Sequence, residues 1–155
     1  MKRINVHTNP ADLKFLRMKA IPVLGVTNDI HQTIQELAET VAENKDCVGL
    51  SANQIWDDLF IPPPAVFVMR MQNGIAPFIN PILIKTFKKV EIQNEGCMSV
   101  PGKIYPVERP KHIIVSFMSN DGQTLTNQHI YYDAARMWLH EYDHLQGKII
   151  IDYER

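Results

Sequence analysis

Two cysteines in 155 residues are too few for a disulfide framework. A reducing compartment fits that usage best, with any cysteine of special role acting as a thiolate. Charge of one sign is also lacking: sixteen basic and seventeen acidic residues leave a formal net charge of -1. A chain so balanced has no broad basic surface for nucleic acid or an anionic membrane. No apolar run is long enough to span a bilayer, and the opening Met1-Lys2-Arg3-Ile4-Asn5-Val6-His7 lacks the apolar core of a secretory signal. Internal repeats and low-complexity stretches are missing as well. What remains is a chain long enough for one domain with a real core.

Against that plain background stands His140-Glu141-Tyr142-Asp143-His144, an H-E-x-x-H pattern. On a helix, residues four apart share a face, roughly 6 Å apart along the axis. Two imidazoles at that spacing can take adjacent corners of one metal's coordination shell. Glu141 follows the first ligand, so its carboxylate can reach a water at an open corner. A metal lowers the pKa of such a water to about 7, and the carboxylate can carry its proton. The ordinary alternative is two helix-face histidines beside a surface glutamate. The flanks weigh against it. Ala134, Ala135, Met137, Trp138, Leu139, Tyr142 and Leu145 make the helix apolar on nearly every face, as suits an enclosed element. Asp133 is placed to cap it and Gly147 to stop it. A buried helix carrying two histidines and two carboxylates needs partners for them, and a cation satisfies several at once.

The rest of the chain reads as α+β. A short helix is expected from Asn9 to about Lys19, stopping before Pro22. Ile30, Ile34, Leu37, Ala38 and Val41 fall at helical spacing after Thr27, Asn28 or Asp29 as cap, and Asn44-Lys45-Asp46 ends that helix. Next comes Val48-Gly49-Leu50-Ser51-Ala52-Asn53-Gln54-Ile55, small residues around one glutamine. Such a stretch lets a backbone approach a ligand, and the amide can donate to an oxygen; a tight connection with a solvated glutamine is the bland alternative. Pro62, Pro63 and Pro64 stiffen the following loop. Strands are expected over 65–69, over 78–87 after an Asn73-Gly74 turn and with Pro81 forcing an edge or break, over 88–92, and over 111–117, which pairs with 124–132 around Asn120-Asp121-Gly122. Lys148-Ile149-Ile150-Ile151 reads as a last strand. Antiparallel strands with two main helices make α+β rather than alternating βαβ.

A catalytic metal needs a third protein ligand and an open position. Downstream positions fail: the next spacing that would suit a histidine holds Ile150, and Glu154 is the one glutamate after His144. The strongest upstream candidate is Cys97 in Glu95-Gly96-Cys97-Met98-Ser99-Val100-Pro101-Gly102, where glycines and a proline shape the connection. A buried structural cysteine is the common alternative. Cys47, beside a helix end without such flanks, reads as core. His112 and His129 lie in strand-like runs, as packing or surface residues; His7 and His31 have no supporting context. Glu95 could pair with Arg109, and Asp143 reads as a supporting group or a helix-face ion pair.

Three motifs now stand in order: Gly49-Leu50-Ser51-Ala52-Asn53-Gln54, Glu95-Gly96-Cys97-Met98-Ser99 and His140-Glu141-Tyr142-Asp143-His144. Together they resemble the signature motifs of the peptide deformylases, over nearly the whole chain. The resemblance implies one catalytic domain over 1–155 without a long C-terminal extension, with antiparallel sheets packed around a central metal-binding helix that carries H-E-x-x-H. It implies removal of the formyl group from the N-terminal formyl-methionine of nascent polypeptides. The implied metal ligands are Cys97, His140 and His144, holding one divalent ion, natively Fe²⁺, with Zn²⁺, Ni²⁺ or Co²⁺ as substitutes. Glu141 becomes the general base and then acid. Gln54 and the backbone N–H of Met98 become donors to the oxyanion. Gly49 with its neighbours Val48 and Leu50 would line the substrate backbone, and Val48 and Met137 would wall the methionine side chain. The expected partners are nascent N-formylated polypeptides, without direct nucleic-acid or membrane binding. Association with the ribosome would be transient, since the docking helix of many bacterial relatives has no counterpart here. The expected location is cytoplasmic, that of an organelle or of a virus-infected host included.

The chain departs from the family pattern at Cys47, where glycine is usual, at Ser51 and Asn53, where alanine and proline are frequent, and at Asp133 and Arg136, where some relatives carry apolar pocket residues. These bear on side-chain preference. Two rival readings are a different H-E-x-x-H peptidase that cuts internal bonds, and a metal-stapled binding module. The upstream cysteine weighs against the first. The presence of both Glu141 and Gln54, which a structural metal needs neither of, weighs against the second.

Overall fold

The computed structural model describes residues 1–154. Three α-helices and seven strands alternate irregularly along it. Helix α1 spans Pro10–Arg17 and begins as its sequence dictates: Asn9 accepts the Ala11 N–H at 2.9 Å, and Pro10 sits where a missing donor costs nothing. Helix α2 spans Asn28–Glu43, with the Thr27 side chain capping the Ile30 N–H. Its last carbonyls are covered by Arg70, which donates to the Val41 oxygen at 2.6 Å.

Strands β1 (Gly49–Ser51), β2 (Val66–Met71), β3 (Gly74–Thr86), β6 (His112–Met118) and β7 (Thr124–Tyr131) form a five-stranded antiparallel sheet in the order β1-β2-β3-β6-β7. Strands β4 (Val90–Cys97) and β5 (Val100–Pro110) form a separate antiparallel pair. Helix α3, Tyr132–Leu145, packs against strands of both sheets.

The apolar run before β3 is explained by its two buried faces. Side chains of β2 alternate: Phe67 and Met69 join Phe78, Ile113, Val115, Trp138 and Leu145 in the cluster under α3, while Val66 and Val68 join Leu37, Val41, Cys47, Leu50 and Ile79 under α2. A strand buried on both sides shows no hydrophobic alternation. Phe67 meets Trp138 edge-on, ring centroids 5.6 Å apart. A third cluster, Val100, Tyr105, Val107 and Ile150, ties β5 to the chain end.

Several expectations are corrected. Pro81 does not put β3 at an edge, since β3 lies between β2 and β6, but the expected break is there: the register with β6 shifts between Ile79 and Ile82, where Asn80 takes φ 49. Of residues 88–92 only 90–92 are strand, the start of the longer β4, and its partner β5 was not foreseen. Lys148–Ile151 is not a strand: Ile150–Tyr153 forms a 3-10 turn, with the Asp152 carboxylate accepting the Ile149 N–H. Asp133 does not cap α3. β7 runs straight into the helix at Tyr132, with φ 52, so Tyr131 takes the cap position and Asp133 lies in the first turn. Gly147 does end the helix, at φ 74, and a side chain there would strike the Arg17 carbonyl.

Candidate active site

The helical spacing does what it implied. His140 and His144 sit one turn apart on α3, with ring centroids 5.0 Å apart and planes at 72°. Cys97 ends β4, where the ladder to β5 slips between Gly96 and Cys97 and turns the sulfur toward α3. Its Sγ lies 3.3 Å from His144 Nε2. One ligand atom from each of Cys97, His140 and His144 falls within 4.8 Å of the others, the one such three-ligand group among the described residues.

Behind these three lies a buried ionic network. His140 Nδ1 is 3.0 Å from Glu95 Oε2, which leaves Nε2 for the cluster. Glu95 receives both Arg109 Nε at 2.6 Å and Arg109 NH2 at 2.9 Å, the pair read from sequence, and Arg136 NH1 at 2.7 Å. Arg109 also donates to Asp143 Oδ2 at 2.9 Å, which in turn accepts the Tyr153 hydroxyl at 2.8 Å. Burial alone would raise the Glu95 pKa. Hydrogen bonds from His140 and Arg109 outweigh it and hold the carboxyl down at about 2. An outer carboxylate that fixes a ligating ring is the usual support of a metal histidine.

Glu141, 3 % exposed, is pushed up to about 7, first by burial and further by the charges of Glu95 and Asp143, against His140 and Arg109. Its Oε2 has no hydrogen-bond partner among the described residues. Its other oxygen lies so near the Gly49 backbone that a Cβ at Gly49 would meet Oε1 at 2.6 Å. Glycine is needed at 49 for this close approach, not for a turn.

Gln54 is buried, not solvated, at 2 % exposure. Its Oε1 accepts the Ser51 N–H at 2.9 Å and the Ser51 hydroxyl at 3.2 Å. A backbone N–H can only donate, so the amide orientation is fixed and Nε2 faces the site. Nε2 donates to Ser99 Oγ at 3.0 Å and reaches Cys97 Sγ at 3.8 Å. The N-terminal segment clamps both loops: Asn5 N–H donates to the Gln54 carbonyl at 2.7 Å, and His7 N–H to the Ser99 carbonyl at 2.9 Å. The sequence marks Ser51 and Arg136 only as departures from the family pattern and gives Ser99, Asn5 and His7 no role in the site; apart from Ser51, whose partner Gln54 is three residues on, their partners are remote in sequence.

A cleft of about 780 Å³ opens over this group, with Val48, Gly49, Gln54, Met98 and Met137 in its walls. Met98 sits in the turn between β4 and β5. Leu50 is not a wall: its side chain is fully buried in the cluster under α2. Alternation along β1 sends it to the face opposite Glu141. Cys47 also borders the cleft but packs with the core, its thiol donating to the Gly49 carbonyl at 3.1 Å. Burial and the charge of Glu141 push that thiol up to about 12, so it stays protonated and inert.

The donor set suits a borderline cation. Two imidazoles and a thiolate can hold either iron or zinc. The electrostatics agree. Against burial, Cys97 and Glu95 raise His140 to about 10, so this cluster draws positive charge even in the form of a proton. His144 goes the other way, well below 6.5, first because it is buried and next because His140 lies beside it. The cluster thus favours a single shared positive charge, and a metal ion would supply it while leaving both rings neutral.

A model of the polypeptide deformylase family matches residues 1–155. The chain is 35% identical over 152 residues to a peptide deformylase of Thermotoga sp. (strain RQ2), covering 98% of this chain and 86% of that protein. The crystal structure of peptide deformylase from Thermotoga maritima superposes with a TM-score of 0.85 at 35% identity, over 99% of this chain and 97% of that one. A peptide deformylase from Synechococcus elongatus in complex with actinonin superposes at 0.83, with 28% identity, over 97% of this chain and 76% of that one. The chain belongs to the polypeptide deformylase family, the metal-dependent hydrolases that remove the formyl group from nascent polypeptides.

Proposed function

We propose that Cys97, His140 and His144 hold the divalent ion, and that Glu141, Gln54 and the Met98 N–H carry out hydrolysis of N-terminal formyl-methionine, releasing formate. The observation that carries this is the Glu141 Oε2: a buried carboxylate oxygen without a partner, beside a thiol and two imidazoles whose ligand atoms lie within 4.8 Å. An unsatisfied buried acceptor is costly and calls for an occupant such as water. In this reading α3 is the metal-binding helix at the centre of the fold, and 1–155 is one catalytic domain. Fe²⁺ is the expected native ion, with Zn²⁺, Ni²⁺ or Co²⁺ able to replace it.

Bound there, the ion supplies Lewis-acid polarisation and lowers the pKa of water to near neutrality. The remaining work falls to the chain. Glu141 takes the proton of the water that attacks the formyl carbon. As charge gathers on the former carbonyl oxygen, Gln54 Nε2, aimed by Ser51 and Ser99, donates to it together with the Met98 N–H. One such donor is typically worth about 3 kcal/mol of transition-state stabilisation. Glu141 then gives its proton to the leaving amine as the C–N bond breaks. Val48 and Met137 border the space for the methionine side chain, and Gly49 keeps the backbone close to Glu141.

The substrates are nascent N-formylated polypeptides in the cytoplasm, met during transient association with the ribosome. The test is formate release from formyl-Met-Ala. Glu141→Gln should keep one metal per chain and lose about 10²–10⁴-fold in kcat. Undiminished turnover in that variant, or cleavage of internal peptides in preference to formylated ones, would refute the assignment.

A further inference from the structure

Arg136 reaches from α3 to the two-stranded sheet. Its NH1 donates to Glu95 Oε1 at 2.7 Å and to the Val107 carbonyl at 2.9 Å, and its NH2 donates to the Glu91 carbonyl at 2.6 Å. Two of these acceptors are backbone oxygens, one on each strand of the pair, and the third is the carboxylate that holds His140. The Arg136 side chain is 12 % exposed and borders the cleft. Arg109 already gives Glu95 two hydrogen bonds, on Oε1 and on Oε2. A second cation is therefore not needed to neutralise the carboxylate. What Arg136 adds is anchorage: it ties Oε1 to a carbonyl on each strand, so the carboxylate already aligned by the Arg109 fork is held in place with Oε2 on the His140 ring. A planar fork anchored on fixed carbonyls can do this; a point charge on a flexible stem cannot.

We propose that Arg136 is a positioning residue for the metal centre. It locks Glu95 against the β4–β5 pair, and through Glu95 it sets the orientation of the His140 ring toward the ion. This rests on the ligand assignment above. It also accounts for a charged residue at a position bordering the side-chain pocket, where an apolar one would serve the methionine better.

The test measures metal binding, not turnover. Wild type should bind one Co²⁺ per chain and Cys97→Ala none; binding retained in Cys97→Ala would overturn the ligand assignment itself, independently of Arg136. Arg136→Leu should raise the Co²⁺ dissociation constant about tenfold, in the range found when a carboxylate or its support behind a metal histidine is altered. It should also shift the visible Co²⁺ spectrum, since the ring orientation changes. Arg136→Lys should fall between Leu and wild type, because it keeps a charge for Glu95 without the fork. Arg17→Gln, which breaks an ion pair to Asp152 remote from the ligands, is the control: stability falls but Co²⁺ affinity and spectrum hold. Unchanged affinity and spectrum in Arg136→Leu, with only the melting temperature lowered, would reduce Arg136 to a structural staple and overturn the proposal. Should Arg136→Leu fail to fold, Arg136→Lys is read by the same two signals, and wild-type values in both would overturn it.

Discussion

Two histidine pairs in this molecule share one separation. His140 and His144 on α3 have ring centroids 5.0 Å apart, and so do His112 and His129 on β6 and β7. Their surroundings differ in every other respect. The α3 pair meets a thiol at 3.3 Å and a carboxylate at 3.0 Å, in a buried pocket. The outer pair lies at the surface. His112 is stacked on Phe87 at 3.9 Å and on Tyr131 at 4.3 Å, and its Nε2 is 2.9 Å from His129 Nδ1. Among the described residues nothing anionic is hydrogen-bonded to it. The pKa directions follow: Cys97 and Glu95 overcome burial and raise His140, whereas desolvation, then His129 and Lys85, lower His112. Proximity of two imidazoles is thus cheap, and buried negative charge behind them is what sets the proposed cation site apart from the outer pair.

The largest effect that could break this comparison is on metal content. Cys97→Ala should take bound metal from one per chain to near zero, while His112→Ala with His129→Ala should leave it at one; metal analysis after dialysis reads both. The outer double variant should also stay within about 0.5 kcal/mol of wild-type stability, as surface changes usually do. An intermediate effect sharpens the role of shape in the inner site. Gly49→Ala places a methyl where the Glu141 carboxylate lies, so the carboxylate must move. With metal retained, kcat should fall by about 10²-fold, the usual penalty for an ångström of misplacement. Full activity would mean that Glu141 works from another position.

The smallest effect is a titration. The His112 ring should titrate below the ordinary imidazole value of about 6.5 in an NMR pH series. Lys85→Ala should move it upward, since Lys85 is one of the lowering charges. The sign for stability follows. A depressed pKa in the folded protein means that the neutral ring is favoured there. That contribution is present above the unfolded-state value and is lost as pH falls through the folded one. Replacing His112 should therefore make acid unfolding slightly less steep just below pH 6.5, and a steeper transition would contradict the shift.

The two pairs also mark what the chain order discloses. The pairing of His140 with His144 on α3 was legible because they stand four residues apart, a distance that a helix turns into contact. Helix α2 was legible from its stripe and its Thr27 cap for the same reason. Strand β5 was not. Pro101, Gly102, Pro106 and Pro110 interrupt it, and β4 pairs with it along an edge that tolerates them. Ile149-Ile150-Ile151 looks like a strand, yet among the described residues it packs against β5 without a ladder partner. Asp152 folds back on the Ile149 N–H and makes a 3-10 turn instead. In the site, Cys97 stood out by its flanking glycine and Gln54 by its small neighbours. Ser51 carries a local signal, the S-x-x-Q capping box with Gln54 three residues on, but Ser99, which also aims that glutamine, and Arg136, which braces Glu95, have none. Their meaning is set by contacts between segments far apart in the chain.

The ligand set underlies every other statement about the inner pair. X-ray absorption at the K-edge of the bound metal tests it most directly, on protein purified without oxygen. The account predicts one sulfur and two imidazole nitrogens among the scatterers, with the sulfur lost in Cys97→Ala. A wild-type spectrum with nitrogen and oxygen alone, or one unchanged by Cys97→Ala, would contradict it.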